Sequence, residues 1–424
     1  MKKNIFNESN LLKKWFNFIK KNCLNDFDDS IDRVFLIAKR LNLFPFSSFV
    51  ITVAGTNGKG STCKILEQYF LRLGYTVGLY TSPHFFYHYE RVRINGKYIT
   101  NDNIYIHVFY LVSIICGDTL LTYFEFITLS ILLIFKNYYL DIVILEVGLG
   151  GRLDATNVIN PDMAIITNIA LDHVSILGKT RNMIGYEKSG IFRKKIPVII
   201  GDCNIPYSVY QQSYKFEVYL YRFQYEWNWI KYKNFWNFYD HLGVISHLPI
   251  DSKISIFNIA LAIAAIRVSP FQMNDRALQK TIRFSYLLGR FDVIHKRPYI
   301  ILDVAHNPHS AIFLYNKLKQ FLINHSCKKV YGVIGMLSTK DVKNTIFTFK
   351  DIIDCWYYKT LLHEKTASYY NLKKYLPYNA NYIPNMQHIL CKLLNHAHQK
   401  DVILIFGSFH IVSEAMIFFK KFIT

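Results

Sequence analysis

The run VAGTNGKGST, residues 53–62, gathers glycines, a lysine and two adjacent hydroxyls. The common phosphate-binding loop reads G-x-x-x-x-G-K-[ST]. Here the first glycine is displaced, and Gly60 separates Lys59 from Ser61. Glycines let backbone N–H groups converge on an anion, and a helix that follows points its positive end at it. Lys59 would neutralise β/γ-phosphate charge, with Ser61 or Thr62 in reach of phosphate or metal; the alternative is a plain tight turn. LEVGLGGRLDATN (145–157) holds Glu146, which suits Mg²⁺, an oxygen-seeking ion, or serves as a structural acceptor. In TNIALDHVSILG, His173 follows Asp172 and is either a ligand or an ordinary loop residue. GYEKSGIF holds Lys188, whose spacing favours a solvated helix lysine. LLGRFDV and LDVAHNPHS hold Arg290, Asp303, His306 and Asn307. An Asp–His pair there could be catalytic, or Arg290 and Asp303 could grip a ligand from one side of a cleft. LTYFEF (121–126) reads as a helix start with Thr122 as cap and Phe124 as core; a substrate wall is the competing reading.

These residues need strands and helices to position them. FVITVA (49–54), VGLY (77–80), DIVILEV (141–147), DMAIIT (162–167) and IPVIIG (196–201) are apolar on both faces. Such runs belong in a parallel sheet covered by helices, where ligands collect at the carboxyl ends of strands. Near residue 290 the rhythm restarts. YIILDV (299–304), KVYGVIG (329–335) and DVILIFG (401–407) read as strands, and AIFLYNKLKQFL as a helix. This predicts a second α/β domain of about 130 residues, within the usual range. Residues 205–250 are aromatic, polar and irregular, with no assignable element.

A length of 424 residues predicts two or three domains, and 51% hydrophobic residues suffice for sizeable cores. The formal charge of +20 would fit a nucleic-acid partner, but no long basic run or nucleic-acid motif accompanies it. With 33 Phe, 31 Tyr and only 5 Trp, drift from an AT-rich coding sequence explains the balance better. A basic surface also attracts anionic substrates. The seven cysteines are scattered, without a C-x-x-C pair, which argues against a disulfide framework or zinc site and for a reducing compartment. MKKNIFNESN lacks the apolar core of a signal peptide; Leu12, Trp15, Phe16 and Ile19 predict an amphipathic helix instead. FITLSILLIF is about half the length that crosses a bilayer. The expectation is a soluble, cytoplasmic protein, with nothing demanding more than a monomer.

VAGTNGKGST, TSPH, ERVRI, LTYFE, LEVGLGGRLDATN, ALDH, EKSGIF, GRFD, DVAHNPH and GSFH occur in that order. Together, from about residue 30 to 415, they resemble the bifunctional dihydrofolate synthase/folylpolyglutamate synthases of the Mur ligase family. The resemblance implies a P-loop-type Mur ligase central domain with a mostly parallel sheet (1–288) and a smaller Rossmann-like C-terminal α/β domain (289–424). It also implies that the loop with glycine after the lysine is the family's own form. The implied activity is an ATP- and Mg²⁺-dependent amide ligase. ATP phosphorylates a pterin carboxylate, and the amine of L-glutamate attacks the acyl phosphate. Dihydropteroate gives dihydrofolate, and reduced folates give polyglutamates.

By motif match, Thr56, Asn57, Gly58, Lys59, Gly60 and Ser61 would bind ATP, joined by Asn258, Arg290 and Asp303. Ser82, Glu146 and His173 would hold the metal, and Lys188 would be carbamylated to N6-carboxylysine. Lys59, Lys188 and His306 would be the catalytic group. Thr122, Tyr123, Phe124, Leu153, Asp154 and Ala155 would form the pterin wall. Two segments depart from the pattern: KNCLNDF lacks an L-H-S-type segment near the expected dihydropteroate loop, and SKISIF before Asn258 lacks His-Gln or Pro-Gln. A folylpolyglutamate synthase without the dihydropteroate reaction is the alternative. A basic P-loop ATPase stimulated by nucleic acid is the remote one, with no motif in its favour.

Overall fold

The computed structural model describes residues 9–24 and 30–423. Two compact units result: Met1–Ile169 with Leu177–Tyr286, and Ala170–Ile176 with Leu287–Thr424. Residues 25–27 of KNCLNDF and the first eight of the chain lie outside the described residues.

In the first unit, β1 (Phe49–Ala54), β2 (Val77–Tyr80), β3 (Val92–Ile94), β4 (Lys97–Tyr98), β5 (Ile142–Glu146), β6 (Met163–Ile166), β7 (Pro197–Ile200) and β8 (Tyr219–Arg222) form one sheet. Its order is β4-β3-β2-β5-β1-β6-β7-β8. From β2 to β8 neighbours run parallel, and β3 and β4 extend the sheet antiparallel. Successive strand residues point to opposite faces. Thus Ile142 and Ile144 enter the core under the helices Lys59–Arg72 and Ile256–Val268, while Val143 and Leu145 enter the core under Asp102–Cys116 and Tyr123–Asn137. Two buried faces explain the unbroken apolar runs. The runs at 49–54 and 77–80 are strands over those residues, and the other three lose one residue at each end.

Residues 205–250 are regular, contrary to expectation. They hold the helix Tyr207–Lys215, β8, and a three-stranded antiparallel sheet of β9 (Trp227–Lys231), β10 (Phe235–Asp240) and β11 (Gly243–Pro249). Trp227, Trp236, Phe238 and Leu248 are buried in the core that contains the helix Ile256–Val268. Aromatics on both faces hide the period of two, because Tyr232 and Tyr225 look alike in sequence yet are exposed. The N-terminal helix forms over Asn10–Asn22; Ser9 caps it by accepting the Leu12 N–H, and Leu12, Phe16 and Ile19 are buried. FITLSILLIF lies within the helix Tyr123–Asn137, and among the described residues no helix is long and apolar enough to cross a membrane.

The second unit has β12 (Asp292–Lys296), β13 (Tyr299–Asp303), β14 (Val330–Ile334), β15 (Cys355–Tyr358), β16 (Asn381–Tyr382) and β17 (Val402–Phe406), ordered β12-β13-β17-β14-β15-β16. Only β12 pairs antiparallel among these described strands. The expected helix after β13 runs Pro308–His325.

Candidate active site

The phosphate-loop candidate joins β1 to the helix Lys59–Arg72. Gly58 caps that helix at φ +87°, and a Cβ there would lie 2.5 Å from Asn258 Oδ1. Only glycine satisfies both the left-handed backbone and the close approach. The expected ATP residue Asn258 is therefore placed against the loop. The loop's other side is held by the end of β6. Asn168 accepts from the Asn57 N–H (3.0 Å), and Thr167 Oγ1 and Asn168 Nδ2 donate to the Asn57 carbonyl (2.7 and 2.8 Å). The sequence did not single out Thr167 or Asn168; the signal was their place directly after a strand. Lys59 Nζ donates to the carbonyls of Gly55 (3.1 Å) and Thr56 (3.4 Å), and Ser61 is buried in the first turn.

Glu146 ends β5 with only 5% exposure. It accepts the Ser82 N–H at 3.2 Å, and a Cβ on Gly60 would come within 3.3 Å of its Oε2. The first helical turn, Lys59, the Ser82 backbone and one carboxylate thus occupy one place. Among the described residues no group of three His, Cys, Asp or Glu forms a metal cage. The Glu146 carboxylate beside the first helical turn suits a cation such as Mg²⁺, which takes one or two carboxylates and completes its shell with phosphate oxygens and water.

Of the wall candidates, Ala155 lies in one core and Tyr123 and Phe124 pack against it. Thr122 is the N-cap of the helix Tyr123–Asn137 in a reciprocal box with Glu125, as its sequence reading predicted. The Phe124 ring stacks 6.1 Å from Tyr80, and the Tyr123 hydroxyl lies 2.8 Å from His88 Nε2. Asp154 caps the 3-10 turn Ala155–Val158 that packs against this helix. Its carboxylate accepts the Leu149 N–H and both the N–H and hydroxyl of Thr156; burial raises its pKa and these bonds oppose the rise. Leu153 is half-buried and Ala155 is buried.

Lys188 corrects its sequence reading. It is not solvated: the helix Arg181–Ser189 turns it inward, to 3% exposure. Gly151 lies close against the carbonyls of Glu187 and Lys188, where a Cβ would come within 2.9 Å of each; residue spacing alone does not reveal the burial.

His173 belongs with the second unit and adopts φ +50°. Lys340, which no motif singles out, donates to Asp172 Oδ1 (2.7 Å) and lies 2.8 Å from His173 Nε2. Asn307 Nδ2 donates to Asp172 Oδ2 at 2.8 Å. Burial would raise the Asp172 pKa, but Lys340, His173 and His306 outweigh it and hold the carboxyl well below the usual range. His306 Nδ1 pairs with the Val304 carbonyl (2.8 Å), and burial with the nearby Lys340 lowers its pKa to about 3. It is neutral near pH 7. Asp303 accepts the N–H groups of Phe291 and Ala305, both at 2.8 Å. Burial raises its pKa against the opposing charge of Arg290, whose guanidinium lies 5.4 Å from the Phe409 ring.

Comparison with known proteins places this architecture. Residues 53–266 match the Mur ligase middle domain and residues 289–409 the Mur ligase glutamate ligase domain. A dihydrofolate synthase/folylpolyglutamate synthase of Buchnera aphidicola subsp. Baizongia pistaciae is 42% identical, over 95% of this chain and 94% of its own length. The structure of E. coli FolC in complex with DHPP and ADP matches with a TM-score of 0.93 and 37% identity, covering 97% of this chain and 98% of that one. A bifunctional folylpolyglutamate synthase/dihydrofolate synthase with Mn, AMPPNP and L-glutamate bound matches with a TM-score of 0.90 and 37% identity, covering 98% and 100%.

Proposed function

We infer the function from a premise of kinship: the chain belongs to the Mur ligase family, within its dihydrofolate synthase/folylpolyglutamate synthases. It is an ATP-dependent ligase that joins glutamate to folate substrates, and it uses a divalent cation. The loop at residues 55–61 cradles the phosphates, and Lys59 offsets their charge. A pterin carboxylate attacking a phosphate is an anion approaching an anion, so positioning and charge neutralisation carry most of the catalysis. The carboxylate oxygen forms its bond to the γ-phosphorus as ADP leaves. The glutamate amine then attacks the acyl carbon, loses a proton and expels phosphate.

Glu146, with Ser82 and His173, would hold the cation, read as Mg²⁺. When bound, Mg²⁺ supplies charge neutralisation at the phosphate oxygens. The buried Lys188 would become a carboxylate by carbamylation. Asn258 packs on Gly58 within the ATP loop; Arg290 and Asp303 would contact ATP from the C-terminal domain, assigned to 289–424. His306 would line the reacting groups. Thr122, Tyr123, Phe124, Leu153, Asp154 and Ala155 would form the pterin wall. The protein works as a cytoplasmic monomer and takes no nucleic acid; nucleic-acid-stimulated ATPase activity would overturn that last reading.

The observation that carries this reading is the Glu146 carboxylate set against Gly60, at the first turn after the lysine loop. The test is phosphate release with dihydropteroate or tetrahydrofolate, each with and without L-glutamate. Sustained release is expected with either pterin acid only when L-glutamate is present. Turnover with tetrahydrofolate alone would leave only the polyglutamate reaction, and none with either acid would overturn the whole.

A further inference from the structure

The segment Leu121–Glu125 is fastened by residues from the N-terminal part of the chain, all within the first unit. The Leu24 N–H donates to the Leu121 carbonyl at 3.0 Å, making an isolated parallel bridge between Leu24 and Thr122. Arg33 donates from Nε and Nη2 to both oxygens of Glu125, at 3.0 and 2.6 Å. The Phe16 ring stacks 3.7 Å from His88, whose Nε2 meets the Tyr123 hydroxyl.

The Arg33 pair is the informative one. Glu125 already closes the helix start, because its Oε2 accepts the Thr122 N–H at 2.8 Å and its own N–H meets Thr122 Oγ1 at 3.3 Å. A carboxylate in the first turn is favourable without a cation beside it. Arg33 and Glu125 side chains are only 15% and 9% exposed, so both give up hydration to meet. What the fork adds is direction: two parallel N–H···O bonds fix the carboxylate plane. That plane sets Thr122, and the helix start that carries Tyr123 and Phe124.

We propose that Arg33 is a positioning residue for the pterin acid: acting through Glu125, it aligns Thr122–Phe124 and sets the affinity for that substrate, not the rate of phosphoryl transfer. The proposal rests on the reading of Thr122–Phe124 as the pterin wall. The experiment compares Arg33→Met, Glu125→Gln and the double variant, with KM for tetrahydrofolate, KM for ATP, kcat and thermal midpoint measured for each. Each single variant raises the KM for tetrahydrofolate about 10-fold, the scale of a lost charged hydrogen bond. The KM for ATP and kcat stay near wild type, and the double variant is no worse than the worse single one. Arg33→Lys, which keeps charge but loses the fork, also raises the pterin KM; a wild-type value there overturns the positioning role. An Arg33→Met effect undiminished in the Glu125→Gln background overturns it too, because Arg33 would then meet the substrate itself. So does an equal rise in the KM for ATP, the mark of general damage. A wild type that consumes no pterin acid sinks the functional reading instead, which separates the two failures.

Discussion

The lysine loop of the first unit and the Asp172 cluster of the second solve similar electrostatic problems in opposite ways. The loop is mostly backbone: Gly58 reverses the chain, the first helical turn follows, and Lys59 is the charge. The cluster is all side chain: Asp172, His173, His306, Asn307 and Lys340 come from three separated segments. A backbone site survives the loss of one side chain as a shape and fails only in chemistry. A buried side-chain network fails as a structure, because each member satisfies another.

Lys340→Met breaks the comparison most severely. It leaves Asp172 charged in a site where the two side chains are 8% and 6% exposed. The expected cost is about 3 kcal/mol or more of the second unit's stability, read by calorimetry as a lowered transition. An unchanged transition would mean that the cluster is not a mutual support. Lys59→Ala is next: kcat falls at least about 10²-fold, the effect of one preorganised charge, while the thermal midpoint stays within a degree or so of wild type. Near-normal turnover would remove Lys59 from the chemistry.

Gly58→Ala tests whether the loop's shape matters apart from its charge. A left-handed alanine costs about 1–2 kcal/mol, and the added methyl meets Asn258 at 2.5 Å. Asn258→Ala in the same chain should recover part of that stability; full additivity would deny the contact.

The smallest effect concerns His88, a half-buried side chain stacked on Phe16 with its Nε2 2.8 Å from the Tyr123 hydroxyl. Burial, with His84, Arg91 and Lys20 nearby, lowers its pKa to about 2. Between about pH 2 and 6.5 the unfolded chain binds a proton that the folded one refuses, so stability from this group is full above pH 6.5 and lost as pH falls. The slope is at most about 1.4 kcal/mol per pH unit. His88→Phe keeps a ring against Phe16 and should flatten the loss between pH 6.5 and 5, measured by denaturant unfolding. An equally steep loss would assign the acid sensitivity elsewhere.

The doubly covered strands and the lysine loop could be read from the residues alone, for a physical reason. A doubly covered strand must be apolar throughout, and a backbone anion nest needs glycines at fixed intervals, so both write themselves into contiguous residues. Thr122 as a cap was legible for the same reason, since its partner Glu125 lies three residues on. Tertiary structure alone decided that Lys188 is buried, that Lys340 serves Asp172, and that Arg33 grips Glu125 across 92 positions. It also decided that 205–250 folds into strands, whose aromatics are sorted into inside and outside only by the core they meet. Pairs distant along the chain leave no spacing to read, and a charged side chain has the same letter whether water or a partner surrounds it.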